Sequence, residues 1–184
     1  MMMYTQPVFV IVIERALGTK LSSRTILGVI LGFLGVLVSA ASVSFDLGIL
    51  LTLMGGAVWA VGTIYYARNL EKENVLKLNA FMSVSALPIM LALTPFDYYF
   101  EFSVKIIILL LVLSVLAQAL AYYLWFNVIR ELGSVRASAG SLVTPVVAYA
   151  ASYLILRTIP TPLEVVGSAI TLLGVYLALS SKSF

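Results

Sequence analysis

Two stretches of the sequence decide the fold: residues 19–36, TKLSSRTILGVILGFLGV, and residues 158–175, TIPTPLEVVGSAITLLGV. At an offset of 139 residues, the identical pairs include Thr19 and Thr158, Gly28 and Gly167, Gly35 and Gly174, and Val36 and Val175. Upstream, Pro7 matches Pro145 at an offset of 138, so one residue was gained or lost between the two copies. This spacing predicts an internal repeat. Chance coincidence of Gly and Pro in apolar sequence is the alternative at this point.

The composition indicates a membrane protein. Of the 184 residues, 62% are hydrophobic and 10% are charged, with a mean hydropathy of +1.10, whereas soluble domains are about half apolar and about a quarter charged. The absence of His and Cys excludes a disulfide, a thiol nucleophile, a histidine proton relay and a zinc site built on these ligands. We therefore expect neither a cofactor nor a metal.

Seven apolar segments of roughly the length that crosses the hydrocarbon layer, about 20 residues, are separated by short polar loops. They lie near residues 3–17, 25–43, 47–67, 78–96, 106–128, 137–156 and 163–181. Such continuous apolar runs are helices, because barrel strands are about half as long and alternate in polarity. We predict an all-α membrane protein, a polytopic helical bundle with seven transmembrane segments. The first segment is short for a span and resembles a helix that lacks its start.

The distribution of Lys and Arg predicts the orientation of these segments. One side of the predicted topology carries nine of them: Arg15, Lys20, Arg24, Arg68, Lys72, Lys77, Arg130, Arg136 and Lys182. The other side carries Lys105 and Arg157. Because cytoplasmic loops are enriched in positive charge, we expect a multi-pass protein of the cytoplasmic (plasma) membrane with a cytoplasmic C-terminus. The same charges form no basic stripe, so no nucleic-acid partner is expected.

The two copies run in opposite directions across the bilayer. Residues 3–17 and residues 137–156 belong to segments that are five helices apart, an odd number. Inverted repeats are characteristic of secondary transporters. We predict that residues 1–43 are the end of a first repeat and that residues 44–184 are a complete second repeat of five helices. A first copy of equal length would begin about 95 residues before Met1 and add three helices, so the sequence looks like the last seven of ten.

Specific motifs resemble a known family. AYYLW at residues 121–125, LGSVRAS at residues 132–138 and LVTPV at residues 142–146 are similar to the end of helix eight, the following loop and the start of helix nine in the EamA-type family of the drug/metabolite transporter (DMT) superfamily. LGTKLS at residues 17–22 resembles the end of helix four, where the family usually has Gly-Glu-Arg/Lys-Leu. Thr19 stands in place of that Glu, and Arg157 and Thr158 stand in place of Gly-Glu in the second copy. The resemblance implies two five-helix repeats and alternating-access transport of small metabolites, amino acids among them.

Glycines form one group of candidate residues. They are Gly28, Gly32 and Gly35 in the second segment and Gly167 and Gly174 in the last. Their spacings of three, four and seven put small residues on one helix face, which lets backbones approach closely. We interpret them as helix-packing residues, with these two helices contacting each other or the opposite repeat.

Polar and aromatic residues form candidate substrate-binding groups. Gln118 and Tyr122 are four residues apart and are expected to share a helical face that could hold a zwitterionic or aromatic metabolite. Interhelical hydrogen bonding or an aromatic belt is the alternative. Trp59, among Gly55, Gly56 and Gly62, is large enough to line a cavity, with core packing as the alternative.

Ser141, Thr144 and Pro145 form a further substrate-binding candidate. Proline cannot donate the hydrogen bond that the Ser141 carbonyl would otherwise accept. The Ser141 carbonyl is then free to bind a substrate inside the membrane. A kink that neighbouring hydroxyl groups satisfy is the alternative.

Glu14 is the acidic residue that lies inside a predicted span, one turn before Gly18. An intramembrane carboxylate is a candidate for ion or proton coupling. An interfacial ion pair with Arg15 or Lys20 is the favoured reading.

These observations predict a secondary transporter that moves a small-molecule substrate across the lipid bilayer. One alternative is a half-transporter whose partner is a second copy, in a homodimer, or a separate polypeptide that supplies the missing N-terminal half. Another is a non-transporting membrane bundle. An intramembrane enzyme would need paired carboxylates or a serine with a base at depth, and the acids other than Glu14 lie at segment ends. We therefore expect that the protein is not an enzyme.

Overall fold

The computed structural model describes residues 2–39, 47–94 and 103–180, and every regular element in them is helical. The elements are a 3-10 turn (Met2–Thr5), α1 (Gln6–Ala16), α2 (Ser23–Ser39), α3 (Leu47–Tyr65) with a π-helical turn (Tyr66–Leu70), α4 (Val75–Leu93), α5 (Val104–Leu113) with a π-helical segment (Ser114–Leu120), α6 (Ala121–Ser141), α7 (Thr144–Leu156) and α8 (Pro162–Leu179). The predicted all-α fold is confirmed.

Several of these helices are long and apolar enough to cross a membrane. Among the described residues they are four runs, Leu47–Leu70, Val75–Leu93, Val104–Ser141 and Pro162–Leu179, beside the shorter apolar helices Ser23–Ser39 and Thr144–Leu156. Large apolar side chains cover their outer surfaces; Leu111, for example, is 61% exposed. Such surfaces fit a hydrocarbon environment, since an aqueous surface rarely carries so much contiguous apolar area. The protein is a multi-pass membrane protein.

Packing divides the chain into two compact units. One comprises residues 1–68 and 132–184, and the other comprises residues 69–131. The first unit thus brings together helices from both ends of the sequence. This division follows contacts between helices, and the repeat boundary between residues 43 and 44 remains a prediction.

The closest helix pair in the first unit is α2 with α8. A Cβ atom added to Gly28 would lie 2.6 Å from the Gly174 carbonyl oxygen, and one added to Gly35 would lie 2.6 Å from the Gly167 carbonyl oxygen. Both distances are shorter than a carbon and an oxygen can approach, so only glycine fits at these positions. As the numbers rise along α2 they fall along α8, so the two helices run antiparallel where they touch.

This contact has the pattern of a pseudo-two-fold axis. With the 139-residue offset, Gly28 corresponds to Gly167 and Gly35 to Gly174, so the contact of Gly28 with Gly174 is the counterpart of the contact of Gly35 with Gly167. Thr171 corresponds to Gly32, and its Oγ1 donates to the Gly32 carbonyl oxygen at 3.3 Å. Exchange of equivalent partners is the property of an isologous interface. Two repeat copies that run in opposite directions can form such a contact between α2 and α8 within one chain.

The connections at the ends of the two copies also correspond. Gly18, after α1, has a φ of 84°, and Arg157, at the same repeat position after α7, has a φ of 56°. The next helices begin with equivalent caps: the Ser22 Oγ accepts from the Thr25 amide at 3.0 Å, and the Thr161 Oγ1 accepts from the Glu164 amide at 3.3 Å. Both copies therefore end one helix with a left-handed residue and start the next with a hydroxyl cap.

The expected helix at residues 137–156 is interrupted, which corrects the prediction of one continuous span. Helix α6 runs through the expected loop and turns at Gly133, where φ is 77° and ψ is 167°. It then ends at Ser141, and α7 begins at Thr144 with Pro145 in its first turn. Proline is tolerated there because the first turn needs no intrahelical amide donor. Pro145 therefore lies at the start of a new helix and not inside one continuous span.

Candidate functional site

Equivalent helix starts in the two copies mark the candidate site. Pro7 lies in the first turn of α1, after the 3-10 turn, and Pro145 lies in the first turn of α7, after the Leu142 and Val143 turn. At 1.5 Å per residue, α7 extends for about 20 Å and residues 134–141 for about 12 Å. The break between them thus falls inside a hydrocarbon layer of about 30 Å. Irregular backbone at such depth is tolerated where protein buries it or a cavity adjoins it.

The start of α1 holds a buried amide. Gln6 is 1% exposed, and its Nε2 donates to the Thr63 Oγ1 of α3 at 3.2 Å. The Thr63 Oγ1 in turn donates to the Trp59 carbonyl oxygen at 2.9 Å. The Gln6 Oε1 is buried and accepts no hydrogen bond. It is therefore an unused acceptor inside the protein, and buried groups of this kind are rare enough to need an explanation.

Trp59 lies one turn from Thr63 on α3 and is half-buried. Gly56, one turn away on the other side, packs against the turn that precedes α1: a Cβ atom there would lie 2.9 Å from the Thr5 Oγ1. The structure thus places the part of α3 that contains Trp59 beside the start of α1. Sequence reasoning missed Gln6 and Thr63; the available signal was an amide beside Pro7 in an otherwise apolar segment.

The break between α6 and α7 packs on a cluster formed by both copies. Leu142 is fully buried with Val36 of α2 and Val175 of α8, and Tyr4 and Val143 pack against these residues. Tyr4 from the first helix start and Val143 from the second therefore pack against the same cluster. Both starts lie near the glycine contact of α2 and α8.

The predicted residues at this break differ in exposure. Pro145 is buried, Ser141 is half-buried and Thr144 is exposed. The Ser141 Oγ donates to the Ser138 carbonyl oxygen at 2.7 Å, and the Ser138 Oγ donates to the Ser134 carbonyl oxygen. These hydroxyls bind their own helix, so each keeps an acceptor lone pair for a ligand.

Gln118 and Tyr122 belong to the second compact unit. Gln118 lies in the π-helical segment, where hydrogen bonds join residues five apart. That Gln118 and Tyr122 share a face stays a prediction. The Tyr122 ring packs on Phe126 with a centroid distance of 5.9 Å.

Side chains of α4 bind this π-helical segment. The Asn79 Nδ2 donates to the carbonyl oxygens of Gln118 and Ala119 at 3.5 and 3.2 Å, and the Gln118 Nε2 donates to the Ser83 Oγ at 3.4 Å. Asn79 thus supplies hydrogen-bond donors to two backbone carbonyl oxygens of the π-helical segment. Gln118 takes part in the hydrogen bonding between α4 and this segment.

Glu14 is the centre of a second polar cluster, which we term the Glu14 hub and define as Glu14, Thr19, Arg68 and Ser134. Glu14 is 4% exposed. Its Oε2 pairs with the Arg68 Nη2 at 2.5 Å and accepts from the Thr19 Oγ1 at 2.6 Å, while its Oε1 accepts from the Ser134 Oγ at 2.6 Å. The Arg68 Nη2 also donates to the Thr19 Oγ1 at 2.8 Å.

The hub corrects the expected pairing of Glu14. The ion pair exists, but its partner is Arg68, 54 residues away, instead of Arg15 or Lys20. Consecutive residues on a helix point in different directions, and Arg15 is exposed where Glu14 is buried. Thr19, at the position where the family resemblance expects an acid, bridges the carboxylate and the guanidinium.

A pocket of about 220 Å³ adjoins the hub. Its walls are Glu14, residues 19–22, Thr25 and residues 132–136. Lys20 and Arg136 lie among these residues, so the pocket entrance belongs to the positively charged side of the predicted topology.

Comparison with known proteins identifies relatives of this chain. The sequence profile of the EamA-like transporter family matches residues 46–180. An uncharacterized transporter in the sor 3' region of Acidianus ambivalens is 30% identical over 131 residues, which cover 69% of this chain and 51% of that protein. An uncharacterized transporter of Archaeoglobus fulgidus is 26% identical over 179 residues, which cover 96% of this chain and 65% of that protein.

The chain thus spans between half and two thirds of the length of these curated relatives. No solved structure matches it significantly.

Proposed function

The chain belongs to the EamA-like transporter family, and on this premise we propose that it acts as a secondary transporter for a small metabolite, such as an amino acid or a related compound. It works by alternating access in the cytoplasmic membrane, with its C-terminus in the cytoplasm. The observation that carries this proposal is the pair of proline-started helices at equivalent positions of the two copies. Transporters use such interrupted helices to form binding sites near the membrane midplane.

The residues at the α1 start indicate the chemistry of the substrate. Gln6 offers an unused amide oxygen, Thr63 a hydroxyl and Trp59 an aromatic ring. An amide oxygen accepts hydrogen bonds from an ammonium or amide group, and an indole packs on apolar or cationic groups. A neutral or zwitterionic metabolite with a donor group suits this set. We assign Ser141, Thr144 and Pro145 to the same site, because their helix start is the counterpart of the first.

Gln118 and Tyr122 remain substrate-binding candidates of the second unit. Their segment is π-helical, and π-helical turns are frequent at functional sites. A substrate amide could compete for the Gln118 amide, which the 3.4 Å bond to Ser83 holds weakly.

Transport by the purified protein in proteoliposomes tests this proposal. A panel of radiolabelled amino acids and related neutral compounds is measured by counterflow, with and without an imposed proton or sodium gradient. We expect saturable uptake of at least one compound. Absence of flux for every compound would favour the alternatives, a half-transporter that needs its partner or a non-transporting bundle.

Substitutions at the α1 start locate the site. We expect Gln6→Ala and Trp59→Ala to reduce the uptake rate at low substrate concentration at least about tenfold, since each removes a group worth about 1.4 kcal/mol or more in the buried site. The matched control is Thr52→Val on α3, because the Thr52 hydroxyl is bonded to its own helix at Gly48 and lies about 16 Å along α3 from Thr63. Equal loss in the control and the site variants would contradict the assignment.

A further inference from the structure

The Glu14 hub joins three separate elements at one point. Glu14 comes from α1, Arg68 from the π-helical turn after α3, and Ser134 from α6 immediately after the Gly133 turn. Among the described residues, Glu14 is the charged side chain that is buried. A buried carboxylate is stable only while its partners remain in place, because an unpaired charge in apolar surroundings is costly. Movement of any one of the three elements therefore breaks at least one bond to the carboxylate.

The hub lies at one end of a continuous stripe whose other end is the proposed substrate site. Gln6, Val10 and Glu14 are spaced four residues apart on α1 and so follow one face of the helix. The distance along this face from Gln6 to Glu14 is about 12 Å. On α3 and the π-helical turn that follows it the same order recurs, since Thr63 contacts Gln6 and Arg68 contacts Glu14.

Apolar side chains fill the interval between these two ends. Val10 and Ile11 of α1, Ala60 and Ile64 of α3, and Val135 and Ala139 of α6 form one buried cluster. The pocket beside the hub is bounded by Glu14 and by the chain on both sides of Ser134. A path from this pocket to Gln6 is thus closed first by the hub and then by the cluster.

We propose that the Glu14 hub is the latch that closes the substrate site on the pocket side and that it breaks each time the site opens to that side. This inference rests on the proposed function and deepens it. For the Glu14 carboxylate to separate from Arg68 and Ser134, α1 must move away from the end of α3 and from α6, which is the movement that joins the pocket to the stripe. The pocket side is the cytoplasmic side in the proposed orientation.

The exposure of the two ion-pair partners suits a reversible latch. The Glu14 side chain is 6% exposed, whereas the Arg68 side chain is 41% exposed. When the pair separates, the guanidinium is already in contact with water, and the adjoining pocket lets water reach the carboxylate. The cost of opening is therefore lower than for a pair with both charges buried.

Cysteine accessibility tests the latch, and the chain suits this method because it contains no cysteine. Ser138→Cys, behind the hub on α6 at a position that is fully buried, serves as the reporter. A membrane-impermeant maleimide is added to right-side-out or to inverted vesicles that contain the full protein, and the labelling rate is measured in each. In the parent the reporter should react slowly from both sides.

Loss of the ion pair should open one side only. We expect Glu14→Gln and Arg68→Gln to raise the labelling rate from the pocket side about tenfold, the change that follows when a hydrogen bond to a charged group is removed. Labelling from the opposite side should not change. Arg130→Gln is the matched control, since Arg130 donates to the Glu73 carbonyl at 2.9 Å outside the hub.

Milder variants keep the test decisive where loss of the ion pair prevents folding. Ser134→Ala and Thr19→Val leave the ion pair intact and each remove one donor to the carboxylate. We expect each to raise pocket-side labelling roughly threefold, because each removes one of several bonds in the hub. Unchanged labelling in the folded variants overturns the latch, and so does an equal rise from both sides, which indicates general loosening.

The labelling requires no substrate, so it separates the two proposals. A one-sided rise in labelling together with absence of flux for every compound would keep the latch and reject transport by this chain alone. Flux together with unchanged labelling would keep transport and reject the latch.

Discussion

The first copy of the repeat, α1 with α2, and the second copy, α7 with α8, share a backbone plan but differ in buried chemistry. Each begins with a proline in its first helix and passes through a left-handed residue to a capped second helix. The first copy buries Glu14, which is 4% exposed, whereas the residue at the same repeat position in the second copy is Tyr153, which is 46% exposed. Backbone-level features are thus kept by both copies, while the ion pair belongs to one.

The largest effect should come from the contact that both copies share. Gly35→Ala should lower the free energy of unfolding by about 3 kcal/mol, because its Cβ would lie 2.5 Å from the Thr171 amide nitrogen and the helices must separate to admit it. Gly174→Ala, at the equivalent position in the other copy, should cost a similar amount. Thermal or SDS unfolding in mild detergent measures both.

Gly62→Ala is the control for these variants, since a Cβ atom there meets nothing within 4 Å. It should leave the unfolding midpoint unchanged or raise it slightly, because alanine favours helix more than glycine does. Clearly unequal costs for Gly35→Ala and Gly174→Ala would argue against the pseudo-two-fold contact.

The next largest effect on stability should differ between the two copies of the repeat. Glu14→Ala should lower the free energy of unfolding by about 2 kcal/mol, less than for a fully buried pair because Arg68 retains access to water. Tyr153→Ala, at the equivalent position, should cost much less, since that side chain is half exposed. Parallel unfolding experiments on the two variants provide the measurement, and similar costs would remove the chemical difference between the copies.

A smaller effect should come from the left-handed residues. Arg157→Gly should raise the free energy of unfolding by about 1 kcal/mol, because a side chain in the left-handed region is strained and glycine is not. Gly18→Ala should lower it by about the same amount for the same reason. The shift in melting temperature checks the signs, and a loss of stability in Arg157→Gly would show that the arginine side chain makes contacts that outweigh the strain.

The smallest effect should come from the helix caps. Ser22→Ala and Thr161→Ala should each cost about 0.5 to 1 kcal/mol, as removal of a hydroxyl cap does elsewhere. Thr161→Ala should cost more, because Thr161 and Glu164 form a reciprocal capping box. The difference between the two unfolding midpoints is the readout. A larger loss in Ser22→Ala would indicate that Ser22 contributes through its contact with Thr25 as well.

The sequence predicted the helices and the opposite direction of the copies because these depend on local signals. The length of an apolar run determines whether it can cross a membrane as a helix, and an odd number of segments between two copies determines their relative direction. The spacing of Gly28, Gly32 and Gly35 indicated a close contact for the same reason, since it depends on helical periodicity alone. The interrupted α6 and α7, the π-helical segment at Gln118 and the buried Gln6 were not predictable in this way.

Sequence alone therefore determined that this protein is a helical membrane protein, because hydrophobic length and periodicity act within about 20 consecutive residues. The inverted repeat stays a prediction from the 139-residue offset. Tertiary structure decided which polar groups meet. Arg68 pairs with Glu14 across 54 positions of the chain, and Ser134 reaches it across 120. No local pattern selects such partners. They are chosen by helix packing, which pairs most buried polar groups. The Gln6 Oε1 is among the few that it leaves without a partner, and there we expect the substrate to bind.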